Sequence, residues 1–189
     1  MSDLLARYTA LVHAYPLISA ALQFALLGTL GELLACRLRG RGWLPFGALQ
    51  FIAKLVVWAG LGITVKVAFA GFVGFLDAIL ARGLWPAAVP RVPDAWWRAV
   101  SLAFITNALF GPMLILAHRV ADNAIERNSM NWTSLVGAWW TLIYFWMPAH
   151  SLTFYLPPAY RVGLAAIWSL ALGIILGLFA RGRAPAAEY

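Results

Sequence analysis

Charged residues are scarce in this chain of 189 residues, since only 11% of them are Asp, Glu, Lys or Arg. Soluble domains carry about 25% charged residues on average. Hydrophobic residues reach 63%, and the mean hydropathy is +0.80. A soluble fold of this size still exposes about 30% of its chain's surface, so it could not hide that much apolar area. The composition excludes a soluble domain and a disordered chain, and it indicates an integral membrane protein.

Cysteine is nearly absent, because Cys36 is the single one in the sequence. One thiol excludes an intrachain disulfide and a thiolate metal cluster. The sequence also lacks the His-Glu-x-x-His, Gly-x-Ser-x-Gly and phosphate-loop motifs. Its three histidines, His13, His118 and His150, lie far apart in the chain. We therefore expect no enzymatic activity, no cofactor and no metal site.

Long stretches without a formal charge divide the chain into apolar segments. Twenty-four uncharged residues separate Arg7 from Glu32, and thirty-three separate Arg127 from Arg161. A helix needs about 20 residues to cross the hydrocarbon core of a bilayer. We predict an all-α fold, a single helical membrane bundle over residues 1–189 with four to five transmembrane helices and short interfacial helices. The expected apolar segments cover residues 16–36, 46–80, 95–118, 132–147 and 158–180.

Several local signals predict where these segments break. The segment 46–80 is too long for one span, so we expect it to be tilted, broken or partly interfacial. The proline-rich stretch 85–93 cannot be helical. A polar loop is expected from Arg119 to Asn131, and Pro148 is expected to end the fourth segment.

A ridge of small residues follows one face of the last segment. Ser169, Gly173 and Gly177 are spaced four residues apart. Such a ridge allows close helix packing, either within the molecule or between the subunits of a homo-oligomer.

Basic residues predict the orientation of the bundle. In a five-helix arrangement, seven of the twelve arginines lie on the side of the first loop, the third loop and the C-terminus, and five lie on the other side. This asymmetry favours an N-terminus outside and a C-terminus inside. Basic groups that flank membrane spans account for the net charge of +7. The expected partner is therefore membrane lipid, and nucleic acid is not expected.

Polar groups within the apolar segments are the candidate site residues, because a charge at bilayer depth costs several kcal/mol and usually faces protein or water. Glu32 and Lys54 either snorkel or pair near the interface. Lys66 has eleven uncharged residues before it and ten after it, so it either lines a cavity or marks a bend. Asn107 lies beside the carbonyl of Ala108, which Pro112 leaves free. The polar-cavity candidates are Glu32, Lys54, Lys66, Asp77, Asn107 and Arg161.

Arg161 has a specific expected environment. Pro157 and Pro158 lack amide donors and therefore open the last helix, which places Arg161 near its first turn. The positive end of the helix dipole opposes a cation there by about 0.3–1 kcal/mol. We predict that Arg161 points into the bundle and bonds either Asp77 or a carbonyl at a helix end, rather than reaching lipid headgroups.

The stretch 145–162 resembles the C-terminal signature of a family of small membrane proteins. That family comprises the mitochondrial inner-membrane protein Mpv-seventeen and the peroxisomal membrane proteins related to it. Its pattern is an aromatic-rich Trp-Pro, a polar residue three positions later, then Phe, Pro and Arg. A Gly-Pro pair in an earlier helix is also similar to the family. The positions that carry the resemblance are Gly111, Pro112, Trp146, Pro148, His150, Phe154, Pro157 and Arg161.

The resemblance implies a compact helical membrane protein, and some members of the family are reported to form pores. We therefore expect a channel or pore for small solutes or metabolites. The alternative is a non-transporting structural or interaction protein with internal ion pairs. Twelve arginines against two lysines favour a bacterial cell membrane, with the mitochondrial inner membrane or the peroxisomal membrane as the eukaryotic alternatives.

Overall fold

The structure, a computed structural model, describes residues 2–85, 94–130 and 132–181. Every element within these ranges is a helix, so the predicted all-α fold is confirmed. The expected proline loop at 85–93 lies outside the described residues except for Trp85. The helices are α1 (Ser2–Ala14), α2 (Pro16–Leu38), α3 (Ala48–Ala81), α4 (Ala95–Ile105), α5 (Gly111–Glu126), α6 (Trp132–Thr141), α7 (Met147–Tyr155) and α8 (Pro158–Arg181).

Four helices in the described part of the chain are long and apolar enough to cross a membrane. They are α2, α3, the continuous helix Ala95–Glu126 that joins α4 and α5, and most of α8. A fifth long helix joins α6 and α7, and it runs antiparallel to its predecessor because α6 packs on α5 and α7 packs on α4. The chain is therefore an integral membrane protein with a bundle of long helices.

Two long helices each contain a proline and remain continuous because a π-turn precedes it. The first covers Thr106–Phe110 and precedes Pro112, and the second covers Leu142–Trp146 and precedes Pro148. Proline cannot donate a backbone hydrogen bond and clashes with the carbonyl one turn earlier. A π-turn inserts an extra residue into the turn and removes that conflict. The expectation that Pro148 ends the fourth segment was therefore wrong.

The helices also decide two further expectations about the apolar segments. Of the three alternatives for segment 46–80, only a break is excluded, because α3 is a single helix of 34 residues and contains no proline. The expected polar loop after Arg119 is helical as far as Glu126. Polar residues continue this helix because they face buried partners in the bundle, which are described below.

The short helix α1 packs across the ends of α2 and α8. The ring of Tyr8 stacks on the ring of Tyr160, with centroids 5.9 Å apart, and its hydroxyl donates to Gln23 Oε1 at 3.0 Å. Burial, followed by the nearby Tyr160, raises the pKa of the Tyr8 hydroxyl and keeps it a neutral donor. This contact fixes the N-terminal helix to the membrane bundle.

The ridge of small residues on α8 packs within the molecule, against α2. A Cβ atom on Gly173 would lie 2.7 Å from the carbonyl oxygen of Gly31, and one on Gly177 would lie 3.0 Å from Cα of Ala35. Only glycine allows the two backbones to approach this closely. Of the two alternatives for the ridge, the structure supports packing inside one chain.

The ends of α2, α5 and α8 and the starts of α3 and α6 lie at one end of the bundle. We call it the arginine end, because the loop with Arg37, Arg39 and Arg41 lies there. Gln50 near the start of α3 donates to the carbonyl of Ile125 near the end of α5 at 3.0 Å, and Gly177 near the end of α8 contacts α2. The loop with Arg37, Arg39 and Arg41 therefore lies at the same end as the α5–α6 connection. The five-helix arrangement predicted the same placement, with these two loops on one side.

Gly173→Ala should lower the free energy of unfolding by about 1–3 kcal/mol, because the added methyl group meets backbone atoms that cannot rotate away. Thermal unfolding of the purified protein in detergent measures the effect. Gly71→Ala in α3 is the matched control, since a Cβ at Gly71 meets nothing within 4 Å. Equal stability of the two variants would contradict the close approach of α2 and α8.

Candidate functional site

A buried lysine near the arginine end is surrounded by carboxylates. The side chain of Lys54 is only 2% exposed, and its Nζ lies 2.9 Å from each of three carboxylate oxygens. Glu32 contributes Oε2 from α2, and Asp122 and Glu126 contribute Oδ1 and Oε1 from α5. A single ammonium group therefore joins three helices at this end of the bundle.

His118 lies on the opposite side of two of these carboxylates. Its Nε2 is 3.3 Å from Glu32 Oε1 and 3.7 Å from Asp122 Oδ2. Trp58 donates from Nε1 to Glu32 Oε1 at 2.7 Å, and its ring packs on the imidazole with centroids 4.6 Å apart. Glu32 and Asp122 thus each turn one oxygen to Lys54 and the other to His118. We call Glu32, Lys54, His118, Asp122 and Glu126 the Lys54 cluster.

The Lys54 cluster carries an excess of negative charge. Three carboxylates surround one ammonium group, so two negative charges are not compensated while His118 is neutral. Arg39, Arg41 and Arg119 face the same region. Among the described residues, none of these arginines lies within 4.0 Å of a carboxylate of the cluster. Lys54 is therefore the only lysine or arginine that bonds these carboxylates directly in the described part of the chain.

A cavity of about 360 Å³ begins beside the cluster and extends into the bundle. Along α3 its lining runs from Lys54 to Phe69, which is about 22 Å at the helical rise of 1.5 Å per residue. On the neighbouring helix it runs from Glu126 back to Thr106. The hydrocarbon core of a bilayer is about 30 Å thick, so the cavity follows most of a membrane crossing.

The deep part of the cavity contains polar groups among aromatic rings. Nδ1 of His150 lies 3.2 Å from Oδ1 of Asn107, a contact that needs the proton on Nδ1 and leaves Nε2 as an acceptor. The rings of Phe69 and Trp146 pack on this imidazole. Oγ1 of Thr106 is buried and has no hydrogen-bond partner among the described residues. These groups can bond a small polar molecule.

Three of the predicted site residues belong to this region. Glu32 and Lys54 line the cavity and pair with each other at 2.9 Å. Of the two alternatives, snorkelling and pairing, the structure therefore supports pairing. Asn107 is not itself in the described lining, but it contacts His150, which is. The π-turn at Thr106–Phe110 places this amide in the interior.

The other three predicted site residues lie away from the cavity. Lys66 is partly buried on α3 but is not among the described residues that line the cavity. Asp77 lies at the opposite end of the bundle and pairs with Arg98, whose Nη2 is 2.7 Å from Asp77 Oδ1. Asp77 is therefore not the partner of Arg161, although it was one of the two that we predicted, because the start of α4 brings a nearer cation.

Arg161 bonds a carbonyl at a helix end, which is one of its two predicted partners. Its Nε donates to the carbonyl oxygen of Leu156 at 2.9 Å, where α7 ends, and its guanidinium lies over the ring of Phe154 at 5.6 Å from the centroid. The side chain is partly buried against the protein. Arg161 therefore closes the turn between α7 and α8 and does not line the described cavity.

The residues that carry the family resemblance are divided between the cavity and its scaffold. Trp146, His150 and Gly111 line the cavity. The carbonyl of Pro112 accepts a hydrogen bond from Trp139 at 3.3 Å, which joins α5 to α6. The rest lie in or beside α7 and support it: Pro148, Phe154, Pro157 and Arg161.

Three residues of the Lys54 cluster were missing from the sequence-based candidates. His118, Asp122 and Glu126 are spaced four residues apart, a pattern that places them on one face of a helix. The polar composition from Arg119 onwards favoured a loop instead, and a loop hides this periodicity. Reading the stripe as helical would have identified all three as partners for a buried cation.

Lys54→Met should lower the free energy of unfolding by about 3 kcal/mol, because it leaves three carboxylates without their common cation. We take the lower end of the range for broken buried pairs because these carboxylates are 18–25% exposed. Lys66→Met is the matched control, since it removes a lysine from the same helix outside the cluster. Similar melting temperatures for both variants in detergent would contradict the assigned role of Lys54.

Comparison with known proteins identifies no relative: no family model, no curated protein and no solved structure matches this chain.

Proposed function

We propose that this chain is a membrane transport protein of the channel or pore type, which passes small polar solutes through the cavity between α2, α3, α5 and α8. The observation that carries the proposal is the length of the cavity. Its lining extends along α3 and along the helix Ala95–Glu126 for most of the thickness of a bilayer. Polar groups lie at both of its ends, with the Lys54 cluster at one and His150 at the other.

The chemistry of the lining supports solute passage. Polar side chains inside a membrane bundle are costly unless they face protein partners or water. Thr106 has a buried hydroxyl without a partner among the described residues, and it lies on the cavity. The volume of about 360 Å³ falls in the range of sites that bind small molecules. A metabolite-sized polar solute fits these features.

The resemblance to the Mpv-seventeen family agrees with this proposal, since some members of that family are reported to form pores. We place the protein in a bacterial cell membrane on the basis of its arginine-rich basic residues, with mitochondrial and peroxisomal membranes as the alternatives. We propose passage of solutes without an enzymatic step.

A second candidate function is a non-transporting structural membrane protein. One observation favours it: three carboxylates fully satisfy Lys54. A cluster whose only role is to hold helices together would have the same arrangement. In that case the cavity would be a packing defect beside the Lys54 cluster, and the cluster would serve only to hold the helices together. The two candidates differ in whether solutes reach the interior of the bundle.

The single cysteine provides a direct test of solute passage. Cys36 lies on the cavity near the arginine end and is the only thiol in the sequence. The protein is reconstituted into liposomes and small-solute flux is measured before and after addition of a membrane-impermeant, positively charged methanethiosulfonate reagent. We expect flux in the untreated protein and strong inhibition after modification, because the attached group occupies the cavity.

Cys36→Ser is the matched control, and it should keep its flux and resist the reagent. Lys66→Met should also conduct normally, since Lys66 does not line the described cavity. Absence of flux for every solute tested, or flux that persists after complete labelling of Cys36, would reject the proposed pathway and favour the structural alternative.

A further inference from the structure

The side of the Lys54 cluster that faces His118 brings three metal-binding atoms together. They are Glu32 Oε1, His118 Nε2 and Asp122 Oδ2, which come from two separate helices. The ligand atoms that these three residues offer all lie within 4.8 Å of one another. Bonds of about 2.0–2.1 Å to a tetrahedral zinc ion place neighbouring ligand atoms about 3.4 Å apart. The distances of 3.3 Å and 3.7 Å from Nε2 to the two oxygens fit that geometry.

Contacts behind the three atoms hold them in position. Lys54 Nζ binds the other oxygen of Glu32 and the other oxygen of Asp122, both at 2.9 Å. Trp58 donates to Glu32 Oε1 and packs on the imidazole of His118. Metal sites depend on such supporting contacts, which orient the ligands before the ion binds.

The imidazole nitrogen lacks a satisfactory partner within the protein. Nε2 of His118 is buried and makes no hydrogen bond of acceptable geometry with any described residue, although a carboxylate oxygen lies 3.3 Å away. A buried polar atom without a bond is costly. Coordination of an ion between the nitrogen and the two oxygens would satisfy all three atoms.

The charge of the cluster also points to a dication. Within the Lys54 cluster itself, three carboxylates and one ammonium group give a net charge of −2, and Arg39, Arg41 and Arg119 line the same cavity without a direct ion pair to it among the described residues. A divalent ion at this position makes the cluster neutral with His118 unprotonated. A single proton on His118 would neutralise only half of the excess.

We propose that Glu32, His118 and Asp122 bind a divalent transition-metal ion of the Zn²⁺ type. One imidazole nitrogen with two carboxylate oxygens suits a borderline-soft ion, whereas Mg²⁺ and Ca²⁺ prefer oxygen ligands alone. The cavity beside the cluster leaves the remaining coordination position open to water or to a solute. No metal site was expected from the sequence, because Glu32 lies far in the chain from His118 and Asp122. The proposal does not depend on solute passage.

Metal binding to the full-length protein tests the proposal directly. The protein is purified in detergent without a polyhistidine tag, freed of metal with a chelator and titrated with Zn²⁺ in a calorimeter. We expect one Zn²⁺ per chain and much weaker binding of Mg²⁺. His118→Gln should weaken Zn²⁺ binding about 100-fold or more, since loss of a supporting contact alone typically weakens binding 10–100-fold.

His150→Gln is the matched control, because it removes a histidine that lies outside the cluster, and it should bind Zn²⁺ like the wild type. Asp122→Asn provides a second, isosteric variant should His118→Gln fold poorly. X-ray absorption of the zinc-loaded wild type needs no variant, and it should show an imidazole ligand with oxygen ligands. Absence of stoichiometric binding, a spectrum without imidazole, or unchanged affinity in a folded His118→Gln protein would overturn the proposal.

Discussion

The ammonium group of Lys54 is the interaction on which the arginine end of this bundle depends. A lysine that is 2% exposed inside a membrane protein is tolerated only because carboxylates from α2 and α5 surround it. The same bonds explain why α5 extends to Glu126, because Asp122 and Glu126 must remain on the inner face of a helix to reach Lys54. Removal of the cation would leave three buried like charges next to one another.

The position of the cavity follows from the packing around α2. On one side, Gly31 and Gly173 bring the backbones of α2 and α8 into direct contact. On the other side, α3 also approaches α2 closely where Gly62 meets the backbone of Ala20. Nearer the arginine end, Trp58 and the Lys54 cluster lie between α2, α3 and α5. Trp58 packs directly over Gly28, and below it the rings of Phe24 and Phe69 line the cavity. Close contacts at Gly173 and Gly62, together with large side chains nearer the arginine end, leave an interior cavity between these helices.

The sequence predicted the features that depend on local composition. Charge-free stretches identified the long helices, and the cost of charge at bilayer depth identified Glu32 and Lys54. Arg161 bonds the helix-end carbonyl of Leu156, which was one of the two partners predicted for it, and the expectation of a protein partner depended only on the prolines before it. Features that depend on contacts between distant segments were not accessible in this way.

The errors have identifiable physical causes. Pro148 cannot be accommodated in a regular α-helix, but the π-turn at Leu142–Trp146 allows the helix to continue. No local sequence pattern predicts such a turn. Asp77 pairs with Arg98 rather than Arg161 because α4 starts beside the end of α3. The polar composition that follows His118 favoured a loop, whereas Asp122 and Glu126 lie on the inner face of a helix and bond Lys54.

The central claim is that Lys54 neutralises a group of carboxylates that would otherwise repel one another. Glu32→Gln tests it most directly when its effect on the free energy of unfolding is measured in two backgrounds, the wild type and Lys54→Met. In the wild type the substitution should destabilise the protein, because a bond to the ammonium group loses its charge. In the Lys54→Met background it should stabilise the protein, because it removes one of three like charges. Destabilisation of equal size in both backgrounds would contradict the account.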